Sequence, residues 1–139
     1  VLHNNKEAME LIGEGDYEIP QIQMIEGIPI RGKADILLHG THIIDLKTTA
    51  DISGFQWSAK KYGYDLQAYL YLQLFPEAEK FTFLCIDKNT HDIGIFECSD
   101  EFLESGKEKL LKGLQKYKDF FSVDNSEEVI NQFVIRKTI

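Results

Sequence analysis

The stretch "IRGKADILLHGTHIIDLKTT", residues 30–49, limits the fold more than any other part of the chain. Two β-prone runs, 30–38 and 42–49, meet around Gly40 and read as a hairpin. Side chains on a strand alternate faces, so Asp45 and Lys47 share a face, as do Lys33, Asp35 and Leu37. If residues 39–41 form the loop, position 38 pairs with 42 and Asp35 lies opposite Asp45. One face then carries Ala34, Ile36, Leu38, Ile44 and Leu46, an apolar core surface; the other carries Lys33, Asp35, Asp45 and Lys47. A two-residue loop at Gly40–Thr41 would set Asp35 opposite Leu46 and mix charge into the core. The first register, or a bulge giving the same result, is therefore expected.

Two carboxylates placed opposite each other repel, and something must offset that. Lys47 can do so as a structural ion pair. A divalent cation bridging both carboxylates is the other solution, and magnesium suits it, because it prefers carboxylate oxygens and keeps waters for a phosphate. From the residues alone both readings stay open.

Around this hairpin the pattern gives a helix at 4–13, a strand at 17–25 and a turn at "EGIP". Pro20 marks that strand as an edge or bulge. A long amphipathic helix follows over 53–75, weakened at Gly63 and stopped by Pro76. A second strand pair, 80–87 and 92–99, flanks "KNTH", and a helix over 100–121 has Ser99 or Asp100 as its cap. The tail, 122–139, docks or hangs loose. The order α-β-β-β-α-β-β-α predicts an α/β fold, a mixed sheet flanked by helices.

The length, 139 residues, suits one domain, 1–139, and the helical opening "NNKEAMELIGEG" suggests a piece of a longer chain. Hydrophobic residues make up 43% of the chain, enough for a core, and no apolar run is long enough for a membrane span. Cys85 and Cys98 lie in apolar runs and read as buried free thiols of a reducing, cytoplasmic compartment. The net charge of −8 argues against general affinity for nucleic acid, although lysines cluster locally at 47–61 and 107–118.

The segment 32–75 resembles the PD-(D/E)XK nuclease superfamily, whose fold is restriction-endonuclease-like. "KADI" matches the first motif with Ala34 in place of proline, and "IIDLKTT" matches the second. "YDLQAYLY" is similar to the Gln-x-x-x-Tyr motif of the RecB-type branch, through Gln67 and Tyr71. "DLKTTADISGFQ" followed by a Tyr-rich helix is similar to the exonuclease domain of exodeoxyribonuclease VIII, of phage-type recombination.

The resemblance implies that Asp35 and Asp45 bind Mg2+ or Mn2+ and that the Leu46 carbonyl completes the shell. Lys47 would orient or help deprotonate the attacking water, and Gln67 and Tyr71 would support the site from their helix. Glu18 matches an acidic ligand on the first strand, and His3 a histidine ligand on the preceding helix. The implied activity is a metal-dependent 5′-to-3′ exonuclease on double-stranded DNA, with a single-strand annealing protein and a homo-oligomer as conceivable partners. A structure-specific or single-strand nuclease, and a catalytically silent DNA-binding or assembly module, are the rivals.

Several residues also have plainer readings. Glu18 can pair across strands with Arg31 or Lys33. Tyr64 and Lys60 extend the Gln67 stripe toward a phosphate, whereas Phe55 and Trp57 are expected to pack. Leu110, Leu111, Leu114 and Tyr117 form a core-facing stripe, with solvated lysines opposite. His39, His42 and His91 are read as turn residues.

Overall fold

A computed structural model of the chain describes residues 6–13 and 15–121. The elements are α1 (Lys6–Ile12), β1 (Gly15–Ile25), β2 (Ile28–Leu38), β3 (His42–Thr49), a 3-10 turn (Ile52–Gly54), α2 (Phe55–Lys61), α3 (Tyr64–Leu74), β4 (Lys80–Asp87), β5 (Ile93–Glu97) and α4 (Asp100–Phe120). His3 and the tail lie outside the described residues.

The five strands form one mixed sheet in the order β1-β2-β3-β4-β5. Only the β3–β4 pair is parallel, joined by the α2–α3 crossover; the other pairs are antiparallel. This is the α/β restriction-endonuclease-like architecture that the pattern and the resemblance predicted. β1 is an edge strand, which is why it accommodates Pro20. The β1–β2 turn is Glu26–Gly27 with both φ angles positive, 51° and 79°, the geometry that follows strand twist. Between β2 and β3, Leu38 pairs with His42 across a three-residue loop, so the expected register is the one found.

The helix predicted over 53–75 is two helices. Gly63 has φ 76°, a left-handed conformation that ends α2 and lets α3 start in a new direction. On the side of the sheet facing α2, α3 and α4, the core holds Ile43, Phe55, Phe81, Phe83, Cys85, Ala68 and Leu74. On the other side Ala8 of α1 packs with Ile36, Leu38, Ile44 and Leu84.

The expected apolar face does not hold together, because β1 and β2 change phase. Ala34 packs on the α3 side with Ile43, and a side chain at Gly32 would meet Leu74 and Tyr71 of α3. Ile36 and Leu38 instead face α1. The same slip occurs on β1: Ile19 packs toward α3, while the Tyr17 hydroxyl donates to the Ile12 carbonyl of α1. The constant register puts Glu18 opposite Asp35 at the slip, and Glu18 has φ 51°. Leu46, expected in the core, is 41% exposed.

Other expectations also shift. Phe55 is buried, but Trp57 is 77% exposed and does not pack. Leu110 and Leu114 are buried, whereas Leu111 and Tyr117 are exposed. His42 lies within β3, with Nε2 2.7 Å from Thr82 Oγ1, while His39 and His91 occupy positive-φ turns.

Candidate metal and phosphodiester site

The β2–β3 ladder stops at Ile36–Ile44, one step short of Asp35 and Asp45. Beyond it the strands part, and the released backbone groups need other partners. Asp35 supplies one: its Oδ2 accepts from the Leu46 N–H at 2.9 Å. Its carboxylate is thereby held at the gap, beside Asp45.

Asp45 is 4% exposed. Gln67 Nε2 donates to its Oδ1 at 3.1 Å, and Lys47 Nζ lies 3.0 Å from its Oδ2. Apart from that ammonium, buried Oδ2 has no donor among the described residues. Burial pushes the Asp45 carboxyl up to about 6; Lys47 opposes the rise and the Asp35 charge adds to it. Lys47 Nζ also sits over the Tyr64 ring, 4.3 Å from its centroid, and so is fixed from α3 as well as by Asp45.

α3 ties the two strands together. Gln67 reaches Asp45 on β3; one turn later, Tyr71 Oη accepts from the Lys33 N–H and donates to the Lys33 carbonyl, both at 3.3 Å, on β2. The pairing that β3 no longer offers to β2 is thus replaced by a side chain.

The placement of α3 depends on residues the sequence reading overlooked. Asp65 is fully buried at its start, with Oδ2 accepting from Ser105 Oγ at 2.6 Å and Oδ1 from Lys109 Nζ at 2.8 Å. Burial raises its pKa, but Lys109 and Ser105 outweigh that and hold the carboxyl below its ordinary value. Lys109 also donates to the Lys60 carbonyl at 2.8 Å, at the end of α2. A side chain at Gly106 would collide with the Asp65 carbonyl, so the close approach of α3 and α4 requires glycine. The i, i+4 spacing of Ser105 and Lys109 was visible in sequence; nothing local pointed to Asp65 as their partner.

Glu18 and Asp35 line one concavity of about 470 Å³ with Tyr17 and Leu46. Lys47, Thr48, Tyr64 and Ile86 line another of about 410 Å³ on the other side of Leu46. Glu18 makes no ion pair with Arg31 or Lys33 among the described residues. Lys60 does not extend the Gln67 stripe. It lies across the Gly63 break and lines a separate concavity of about 300 Å³ with Phe55, Phe96 and Phe102. Cys85 and Cys98 are free thiols, with burial pushing them up to about 11 and about 12, so neither offers a thiolate near neutral pH.

Among the described residues no group of three His, Cys, Asp or Glu side chains gathers closely enough to hold a metal ion. Two neighbouring carboxylates, one of them with a buried oxygen faced only by the Lys47 ammonium among the described residues, still fit magnesium, which commonly takes one or two carboxylates and fills its shell with water and phosphate.

Paired acidic side chains and a lysine thus meet where β2 and β3 part, on a mixed sheet flanked by helices. The chain belongs to the family described as PDDEXK-like domain of unknown function (DUF3799), whose model matches residues 1–128. Among solved structures it is similar to a candidate exonuclease of Eubacterium rectale, at 20% identity and TM-score 0.73, covering 99% of this chain and 59% of that one. It is also similar to SSO0001, at 18% identity and TM-score 0.52, covering 86% of this chain and 62% of that one. The chain thus spans about three-fifths of the length of either neighbour. No curated protein matches it. Among the described residues no helix is long and apolar enough to cross a membrane.

Proposed function

We propose that the chain is the nuclease domain of a divalent-metal-dependent deoxyribonuclease. Its finer assignment is a 5′-to-3′ exonuclease on double-stranded DNA in phage-type recombination. The observation that carries the reading is the buried Asp45 carboxylate, with Lys47 on its Oδ2 and Asp35 beside it, within a PDDEXK-like fold.

Asp35 and Asp45 would hold the cation, with the Leu46 carbonyl and Glu18 as further oxygen donors. Bound magnesium supplies Lewis-acid relief of phosphoryl charge and a more acidic water. The protein's own groups do the rest. The Lys47 ammonium, held between Asp45 and the Tyr64 ring, orients the attacking water and offsets negative charge growing on the phosphoryl oxygens. Gln67 keeps the Asp45 carboxylate aimed at the gap, and Tyr71 keeps β2 at the separation that opens it.

Digestion of blunt linear, 5′-recessed and closed circular duplex, with and without magnesium, tests this. Magnesium-dependent loss of the linear forms alone is expected. Equal loss of closed circles would contradict the exonuclease assignment. No loss of any form with magnesium or manganese would leave a catalytically silent module.

A further inference from the structure

The phase slip at Glu18 and Asp35 has a consequence for the part of the β1–β2 hairpin beyond it. Residues 19, 21, 23 and 25 of β1 and 28, 30, 32 and 34 of β2 turn toward the helices and are half-buried or buried. The intervening residues therefore turn outward. Register pairs Pro20 with Lys33, Ile22 with Arg31 and Met24 with Pro29, and all six are exposed. None of the six is acidic, and among the described residues neither Arg31 nor Lys33 has an ion-pair partner. In a chain of net charge −8, a strip with only positive charge is a local exception.

We infer that this outer face of the β1–β2 arm, through Arg31 and Lys33, tracks the phosphate backbone of the DNA duplex beside the scissile position. The inference rests on the nuclease reading above and names where its substrate runs. Charge complementarity selects the occupant. The gap is lined by Glu18 and Asp35, with Asp45 buried behind them, and these carboxylates repel an anionic strand unless a cation neutralises them. Going outward along β2, the first fixed positive charges are Lys33 and Arg31, about 7 Å and about 13 Å from Asp35 at the strand rise. At about 3.4 Å of helix rise per phosphate on one strand, the roughly 7 Å between Lys33 and Arg31 covers two phosphate steps. The arm's concavity, about 630 Å³ and lined by Pro20, Ile22, Arg31 and Lys33, lies further out on the same strand pair as the Glu18–Asp35 concavity. Tyr71, clamping the Lys33 backbone, fixes the base of the arm relative to the site.

The test is anisotropy of an end-labelled duplex across a salt series in chelator, with magnesium-dependent cleavage run in parallel. The proteins are wild type, R31Q/K33Q, the charge-preserving R31K/K33R, and K112Q/K116Q on the exposed face of α4. For R31Q/K33Q the slope of log K against log salt is expected to fall by about 2 and affinity at 0.1 M salt by roughly 10- to 100-fold. KM should rise with kcat held, and R31K/K33R and K112Q/K116Q should behave like wild type. Wild-type affinity and slope in R31Q/K33Q, with cleavage intact, would overturn the arm assignment and leave the nuclease reading standing. A change in oligomeric state in place of DNA affinity would also overturn it, by assigning the face to a second copy. Absence of both DNA binding and cleavage in wild type would overturn the two together.

Discussion

Replacing Asp45 with asparagine is expected to make the metal-free protein more stable at neutral pH, although the residue sits at the centre of the candidate site. The folded-state carboxyl is pushed up to about 6 from an ordinary 3.8, chiefly by burial and in spite of the Lys47 attraction. Between those values the native state binds more protons than the unfolded one, so stability falls as pH rises through that window. At about 1.4 kcal/mol per pH unit the full loss is about 3 kcal/mol, complete above neutrality. Asparagine imitates the protonated carboxyl and can still accept from Gln67, so D45N avoids the loss. Urea unfolding in chelator, from pH 4 to 8, measures it. The difference between variant and wild type should be near zero at pH 4 and about 3 kcal/mol in favour of D45N at pH 8. A variant less stable than wild type at pH 8, or a difference independent of pH, would refute the reasoning.

Other perturbations have separate signatures. K109M should cost about 2–3 kcal/mol in urea unfolding by stranding buried Asp65, with part recovered in the D65N/K109M double variant. G106A should destabilise by about 1–3 kcal/mol or more, since the obstructing atom is backbone and cannot swing away; thermal melts report it. Y71F should cost about 1–2 kcal/mol by freeing both Lys33 backbone groups, with a matching rise in hydrogen exchange at the base of β2. Q67A should weaken metal affinity by roughly 10- to 100-fold in calorimetry while leaving the fold intact.

The register of the β2–β3 hairpin was legible because only one loop length kept Asp35 and Asp45 out of the apolar surface. Gln67 and Tyr71 were legible through their spacing and family likeness, and the structure brings them to β3 and β2. The phase slip was not. Alternation in the sequence implies regular strands, whereas a paired irregularity at Glu18 and Asp35 puts Ala34 on the α3 side, and Leu46 is in the open. In sequence Gly63 marks only a weak point in a helix, yet its positive φ ends one helix and aims the next. Asp65 escaped notice because its partners are 40 and 44 residues away, and a contact at that distance leaves no periodic trace. By its spacing alone Lys109 is correspondingly one more solvated lysine.

The central claim is that Asp35 and Asp45 together grip a divalent cation, and calorimetric titration of manganese into wild type, D35N and D45N tests it most directly. Saturable uptake by wild type, lost or strongly weakened in both folded variants, is the result the account predicts. Equal uptake by all three proteins would contradict it.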